Sequence, residues 1–212
     1  MAQPDTYECF ADLAAHKTEG TDYLISDDYK SSEICVIGPH GGGIELGVSE
    51  LVRAIARDEF SFYLFEGIQR SKNRELHITS HHFDEPRARA LVAEHYFAVS
   101  IHGEESEDLA TTYIGGNNPT GRRLLGDLLR RSKFDVAGST PFHLRGEQVE
   151  NICNGCISGQ GLQVEITWRQ RNEFFRGLRS RAGRKWQTGA FVQYVQTLRA
   201  ALGQLKREVK RL

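Results

Sequence analysis

Apolar positions along the chain recur with two different periods. Short runs rich in β-branched and aromatic residues predict strands: "EICVIG" (33–38), "FYLFEG" (62–67), "LHITS" (76–80), "FAVSI" (97–101), "FDVAG" (134–138) and "LQVEIT" (162–167). Amphipathic stretches at 45–58, 86–95, 119–131 and 170–180 predict helices between them, and Pro86 suits a first helical turn, where its missing N–H is not needed. Near the end Phe191, Tyr194, Val195, Leu198, Ala201, Leu202, Leu205 and Val209 follow the i, i+3, i+4, i+7 spacing of one helix face, with Lys and Arg in the final turns where they suit the helix dipole. Strands alternating with helices predict an α/β fold, a mostly parallel or mixed sheet flanked by helices. No repeat, low-complexity block or linker interrupts the pattern, so a single domain over 1–212 is expected.

That architecture says where chemistry sits. In open α/β sheets ligands bind beyond the carboxyl ends of the strands. His40 follows "EICVIG", His102 follows "FAVSI", and Glu165 stands in the second half of "LQVEIT". Leu162, Val164 and Ile166 share one face of that strand, so Glu165 points to the other. An ionised carboxylate in a buried strand is costly without a partner. A parallel sheet lets all three side chains converge at one edge.

Composition changes the picture little. A chain of 212 residues with 39% hydrophobic and 26% charged residues is long enough for a core without staples. No apolar run approaches the roughly 18 residues of a membrane helix, and "MAQPDTYECFADL" lacks the basic start and apolar stretch of a signal peptide. The expectation is a cytoplasmic monomer with no membrane partner, released when cells lyse. Four cysteines are too few for a disulfide scaffold. Cys35 reads as a small buried hydrophobe, and Cys153 with Cys156 forms a CxxC that lacks the second pair a structural zinc site wants.

Charge is unevenly spread. Residues 169–212 carry twelve Lys/Arg against two acids, a net +10, which leaves the preceding 168 residues at −11. In "RQRNEFFRGLRSRAGRKW" arginines interleave with Phe174, Phe175 and Trp186, a pattern open to two readings. It is either a surface for nucleic acid or another polyanion, or a segment whose aromatics enter the core while its arginines pair with the acidic body.

The glycine run in "VIGPHGGGIELGVSELV" (36–52) sits between His40 and Glu45. A phosphate loop needs GxxxxGK[ST], or GxGxxG opening a helix, and "GGGIELG" fits neither. Glu45 at a helix start would repel a phosphate and favour a cation. A zinc site takes one imidazole and one carboxylate from the turn and a second imidazole from a neighbouring strand, with the fourth position open to water. The plainer alternative is a tight turn, with Glu45 a helix-start acid and His102 a satisfied buried histidine.

Taken together, "PHGGGIELGVSELV", "LHITSHHFDEP", "VSIHG", "NICNGCISGQGLQVEIT" and "QRNEFF" resemble the bacteriophage-type poly-γ-glutamate hydrolases, a zinc-dependent family related to the carboxypeptidase A fold. The resemblance implies Zn2+ held by His40, Glu45 and His102, with Glu165 as the catalytic carboxylate. It implies hydrolysis of γ-glutamyl amide bonds in the polyanion poly-γ-glutamate, a substrate that wants cationic or amide partners. Arg74, Arg87, Arg122 and Arg171 are candidate cations. His82, Asp84, Asn151 and Asn154 also match the family pattern, as groups that line the cleft, hydrogen-bond substrate or shape the loop before "LQVEIT". Asp84 or Glu85 has a competing use as cap of the helix starting at Pro86. Gly155 departs from the family, which has an arginine after the residue matching Asn154. The other functional class to carry is a nucleic-acid-binding, phage replication-associated protein using segment 169–212.

Overall fold

The computed structural model describes residues 4–209. Six strands form one sheet: β1 Tyr23–Asp28, β2 Ile34–Gly42, β3 Ser61–Gly67, β4 Phe97–Glu104, β5 Thr112–Gly115 and β6 Leu162–Thr167, in the order β1-β3-β2-β4-β6-β5. The four central strands run parallel, and the edge strands β1 and β5 run antiparallel to their neighbours. The expected α/β fold with a mixed sheet is therefore what the chain forms.

Alternation along each strand assigns the two faces. Ile34 and Val36 of β2 and Val99 and Ile101 of β4 enter one core, with Leu162, Val164 and Ile166 of β6. Cys35, Ile37 and Ala98 enter the other. The first core is closed by α2 Val48–Ala56, α4 Pro119–Arg131 and α7 Gly189–Val209; the second by α1 Phe10–His16 and α3 Pro86–Ala93. Both faces are covered, so the central strands read as near-continuous apolar runs. In α7 the predicted stripe from Phe191 to Leu205 is buried, and the Val209 side chain lies outside the described residues.

One irregularity decides what His40 faces. Gly38 pairs with Leu64 and Gly41 with Glu66, so Pro39 and His40 together stand against Phe65 alone. A Cβ on Gly38 would meet Leu64, Val52 and Val48, all of the first core. In a regular strand His40, two residues on, would point the same way. The extra residue reverses the alternation and turns His40 to the second face.

Several sequence expectations need correcting. "LHITS" is not a strand: Asn73–Leu76 is a 3₁₀ turn, and residues 77–80 cross the sheet as a loop whose backbone groups serve other segments. The Ile78 carbonyl meets His40, the Thr79 N–H donates to Asp5 and the Ser80 carbonyl accepts from Ile152. "FDVAG" contributes a single bridge, Val136 to Thr112. The edge strands β1 and β5 escaped notice because "YLISDD" ends in charges and "TYIG" is only four residues long. The helix expected at 170–180 ends early: α5 Trp168–Glu173 covers only its start, residues 174–180 are not helical, and a separate α6 follows at Arg181–Arg184.

The basic segment docks on the acidic body. Arg184 pairs with Glu50 at 2.7 Å, Arg199 with Glu59 at 3.0 Å and Arg179 with Glu107 at 3.1 Å. Phe174 and Phe175 are buried in the first core, while Trp186 stays exposed with the Arg176 guanidinium over its ring. No helix among the described residues is long and apolar enough to cross a membrane.

Candidate metal centre

The parallel strands β2, β4 and β6 bring His40, His102 and Glu165 to one end of the sheet, on the second face. His102 and Glu165 are register partners. His40 and His102 stand inside their strands rather than after them, because β2 runs on to Gly42 and β4 to Glu104. Glu45 lies in the turn between β2 and α2, three residues before the helix begins, so it is not a helix-start acid.

Gly42 makes that turn. Its φ is +66°, and a Cβ there would collide with the Gly67 carbonyl oxygen, so only glycine lets β2 close against β3 before the chain folds back. The Glu45 N–H then donates to the His40 carbonyl at 3.0 Å, which returns the carboxylate to the imidazole. His40 Nδ1 is 3.1 Å from Glu45 Oε1 and 3.0 Å from His102 Nδ1, and Glu45 Oε2 accepts from the Gly103 N–H at 2.7 Å. His40 Nε2 donates to the Ile78 carbonyl at 2.8 Å, which leaves Nδ1 as the bare nitrogen. His102 Nε2 is 2.6 Å from Ser100 Oγ and 3.3 Å from Ser80 Oγ.

Electrostatics keep Glu45 and His102 in ligand form. Burial pushes the Glu45 carboxyl up, but the His40, His102 and His77 imidazoles outweigh it and hold the group well below the usual carboxylate range. Burial, then His40, pushes the His102 imidazole down to about 3. Buried imidazoles around an ionised carboxylate are the donor set a divalent cation takes. Burial and then Glu45 push the Glu165 carboxyl well above its ordinary value, against the Gln163 amide, which donates to Glu165 Oε1 at 2.9 Å.

The sequence missed one member of this group. His77 lies in the loop mistaken for a strand, and its Nε2 is 3.8 Å from Glu45 Oε1. Donor atoms of His40, Glu45 and His77 all lie within 4.8 Å of one another. No spacing to another ligand marks His77; the cluster of histidines at 77, 81 and 82 was the only hint.

The substrate candidates divide. His82 and Asp84 line a cleft of about 500 Å³ with His81, Asn151 and Gly155. Asp84 also accepts from the Phe10 N–H at 2.7 Å, at the start of α1, while Glu85 caps α3 through the Ala88 N–H. Asn151 donates to Gln163 Oε1 at 2.8 Å, so it stands behind Glu165 by one intermediary. Asn154 is buried and bonds the Gly146 and Gln148 carbonyls and the Asn117 and Gly161 N–H groups, which makes it the knot of its loop. Arg171 is only 2% exposed, and its guanidinium donates to the Ile166, Leu46 and Glu104 carbonyls. It packs so tightly on Gly103 that a Cβ there would collide with it. Arg171 thus clamps the segments under the centre and is not in the cleft. Arg74, Arg87 and Arg122 pair with Glu105, Glu19 and Glu147. Gly155 is exposed, and a Cβ there would meet only Val92 Cγ1 at 3.7 Å. The CxxC thiols are free and buried, and burial pushes the Cys153 thiol far up, away from the thiolate that redox chemistry or metal binding uses.

A family model described as poly-gamma-glutamate hydrolase matches residues 7–197. The UPF0714 protein YmaC of Bacillus subtilis (strain 168) is 38% identical over 202 residues, covering 94% of this chain and 85% of YmaC. The structure of a bacteriophage poly-gamma-glutamate hydrolase matches with a TM-score of 0.91 at 33% identity, covering 95% of this chain and 98% of that one. A zinc-free apo structure of YndL matches with a TM-score of 0.87 at 32% identity, covering 94% of this chain and 98% of that one.

Proposed function

This chain belongs to the poly-γ-glutamate hydrolase family, and from that premise we propose that it cleaves the γ-glutamyl amide bonds of poly-γ-glutamate as a zinc-dependent amidohydrolase. In this reading His40, Glu45 and His102 hold the ion and Glu165 is the catalytic carboxylate. The observation that carries it is the convergence of His40 Nδ1, His102 Nδ1 and the Glu45 carboxylate at the carboxyl ends of parallel strands, with Glu165 in register beside His102. Zinc held by His40, Glu45 and His102 would supply Lewis acidity there, lowering the pKa of water and polarising the amide carbonyl; the relative YndL is known in a zinc-free form.

The protein's own groups do the rest. Glu165 accepts the proton of the attacking water and delivers it to the departing amine nitrogen, so one carboxyl group serves both halves of the hydrolysis. Burial and the Glu45 carboxylate raise its proton affinity, so it must be ionised before the attack, a state that a cation held at Glu45 would favour. Gln163 keeps Oε1 of that carboxylate occupied, which orients the group. His82 and Asn151 line a neighbouring cleft, and Asn151 is linked to Glu165 through Gln163.

Polymer length after incubation tests the reading. The protein loaded with zinc is expected to shorten poly-γ-glutamate, and a chelator is expected to stop it. Glu165→Gln is expected to slow cleavage by about 10²–10⁴-fold with zinc still bound. Cleavage indifferent to chelation would remove the metal, and full activity in Glu165→Gln would remove the assigned base.

A further inference from the structure

His77 is held as firmly as the residues assigned to the ion, and from an unexpected quarter. Asp5, near the start of the chain, places Oδ1 2.6 Å from His77 Nδ1 and Oδ2 2.6 Å from the Thr79 N–H. The ring packs against His40 with centroids 3.9 Å apart. An ionised carboxylate only accepts, so Nδ1 carries the imidazole proton and Nε2 presents a lone pair. That lone pair is on the side of Glu45, where the donor atoms of His40, Glu45 and His77 are mutually close.

The pattern repeats around the centre. His40 gives its outer N–H to a backbone carbonyl, His102 has serine hydroxyls at its outer nitrogen, and His77 has a carboxylate. Such outer partners fix tautomer and ring orientation in metal-ligating histidines. A histidine kept only for packing would not need its tautomer set so that a bare nitrogen faces an anion and a second imidazole.

The geometry points to His77 as a further ligand of the metal ion, through Nε2, with Asp5 as its positioning residue. The inference rests on the reading of this cluster as a metal centre and extends it to a loop and an N-terminal segment that reading did not use. His40, Glu45 and His77 alone already offer the three protein donors that a catalytic zinc site takes beside its open position.

Zinc affinity, measured by competition with a chromophoric chelator, tests it without using activity. Asp5→Asn is the sharper variant. Its amide can still accept from the Thr79 N–H, but its NH2 offers His77 Nδ1 a donor in place of an acceptor and drives the proton to Nε2, facing the ion. The expected result is a 10–100-fold weaker zinc affinity for Asp5→Asn, and at least that for His77→Ala, with the metal-free melting temperature of Asp5→Asn close to that of the parent. Unchanged zinc affinity in Asp5→Asn, whatever happens to its melting temperature, overturns the proposal. Cobalt(II) in place of zinc gives a second readout: the visible bands of His77→Ala should shift while those of Glu165→Gln do not, and identical bands overturn it too. Polymer cleavage is scored separately. A parent protein that binds zinc tightly and leaves poly-γ-glutamate intact fails the substrate reading while His77 stands; one that cleaves the polymer while Asp5→Asn binds zinc normally does the reverse.

Discussion

Gln163 and Glu165, two residues apart on β6, are joined side chain to side chain: the Gln163 amide donates to Glu165 Oε1 at 2.9 Å while its own oxygen accepts from Asn151. Strand alternation puts both on the face opposite Leu162, Val164 and Ile166, where the buried amide also donates to the Leu144 carbonyl at 3.2 Å. Gln163→Leu removes that donor and leaves the metal donors untouched. A hydrogen bond to a charged group contributes about 1.5–3 kcal/mol, so kcat should fall roughly 10–100-fold with zinc content unchanged. Steady-state kinetics beside metal analysis checks this, and an unchanged kcat contradicts it.

Acid should destabilise the metal-free protein earlier than carboxylate titration alone would. In the folded state burial and the neighbouring His40 hold His77 down to about 4 and His102 down to about 3, whereas unfolded histidines titrate near 6.5. Between those values the unfolded chain binds more protons, so stability is fully present above about pH 6.5 and is lost as pH falls toward 4, by up to about 1.4 kcal/mol per pH unit for each histidine. Melting temperatures of chelator-treated protein from pH 7.5 to 4.5 should trace that decline. A flat profile down to pH 5 would show that these imidazoles are not held neutral.

Arg171→Met should cost the fold more than a surface arginine would. The guanidinium is the shared donor for the Ile166, Leu46 and Glu104 carbonyls, which belong to β6, the ligand-bearing turn and β4. Leaving buried carbonyls without a donor costs about 1–3 kcal/mol each, so a loss of roughly 3 kcal/mol or more is expected in urea unfolding. A loss below about 0.5 kcal/mol would mean that the clamp is idle.

Thiol reagents should separate the cysteines. Cys35, Cys153 and Cys156 are buried thiols, and Cys9 is the partly exposed one. At pH 8 the native protein should react at Cys9 alone and the unfolded chain at all four. Cys153→Ala should keep its zinc. Rapid native labelling at Cys153 or Cys156, or zinc lost with Cys153, would reopen the CxxC as a working motif.

Much of this was legible in the sequence, for identifiable reasons. β2, β4 and β6 announced themselves because both faces of a central parallel strand are buried, and Glu165 stood out because a carboxylate in such a strand is costly. His40 and Glu45 were marked by the glycines between them. Arg171 misled because an arginine in a basic run reads as a cation free to meet an anionic substrate; nothing in the linear order says that three carbonyls converge on it. His77 was lost because "LHITS" has the composition of a strand, whereas its backbone is committed to His40, Asp5 and Ile152, partners far away in the chain. The bulge at Pro39–His40 was equally invisible, yet it alone turns His40 toward the other donors.

The links that assemble the centre span long stretches of chain: Asp5 to His77 is 72 residues, His40 to His102 is 62, and Glu45 to Gly103 is 58. None of them forms with a local helix or hairpin; together they wait for β2, β4, the 77–80 loop and the segment at Asp5 to meet. Contacts of such high sequence separation are entropically expensive to close and belong late on a folding pathway. During refolding, tight zinc uptake should therefore trail the recovery of helical signal, and the ion would act as a reporter of the final docking steps rather than as a seed for them.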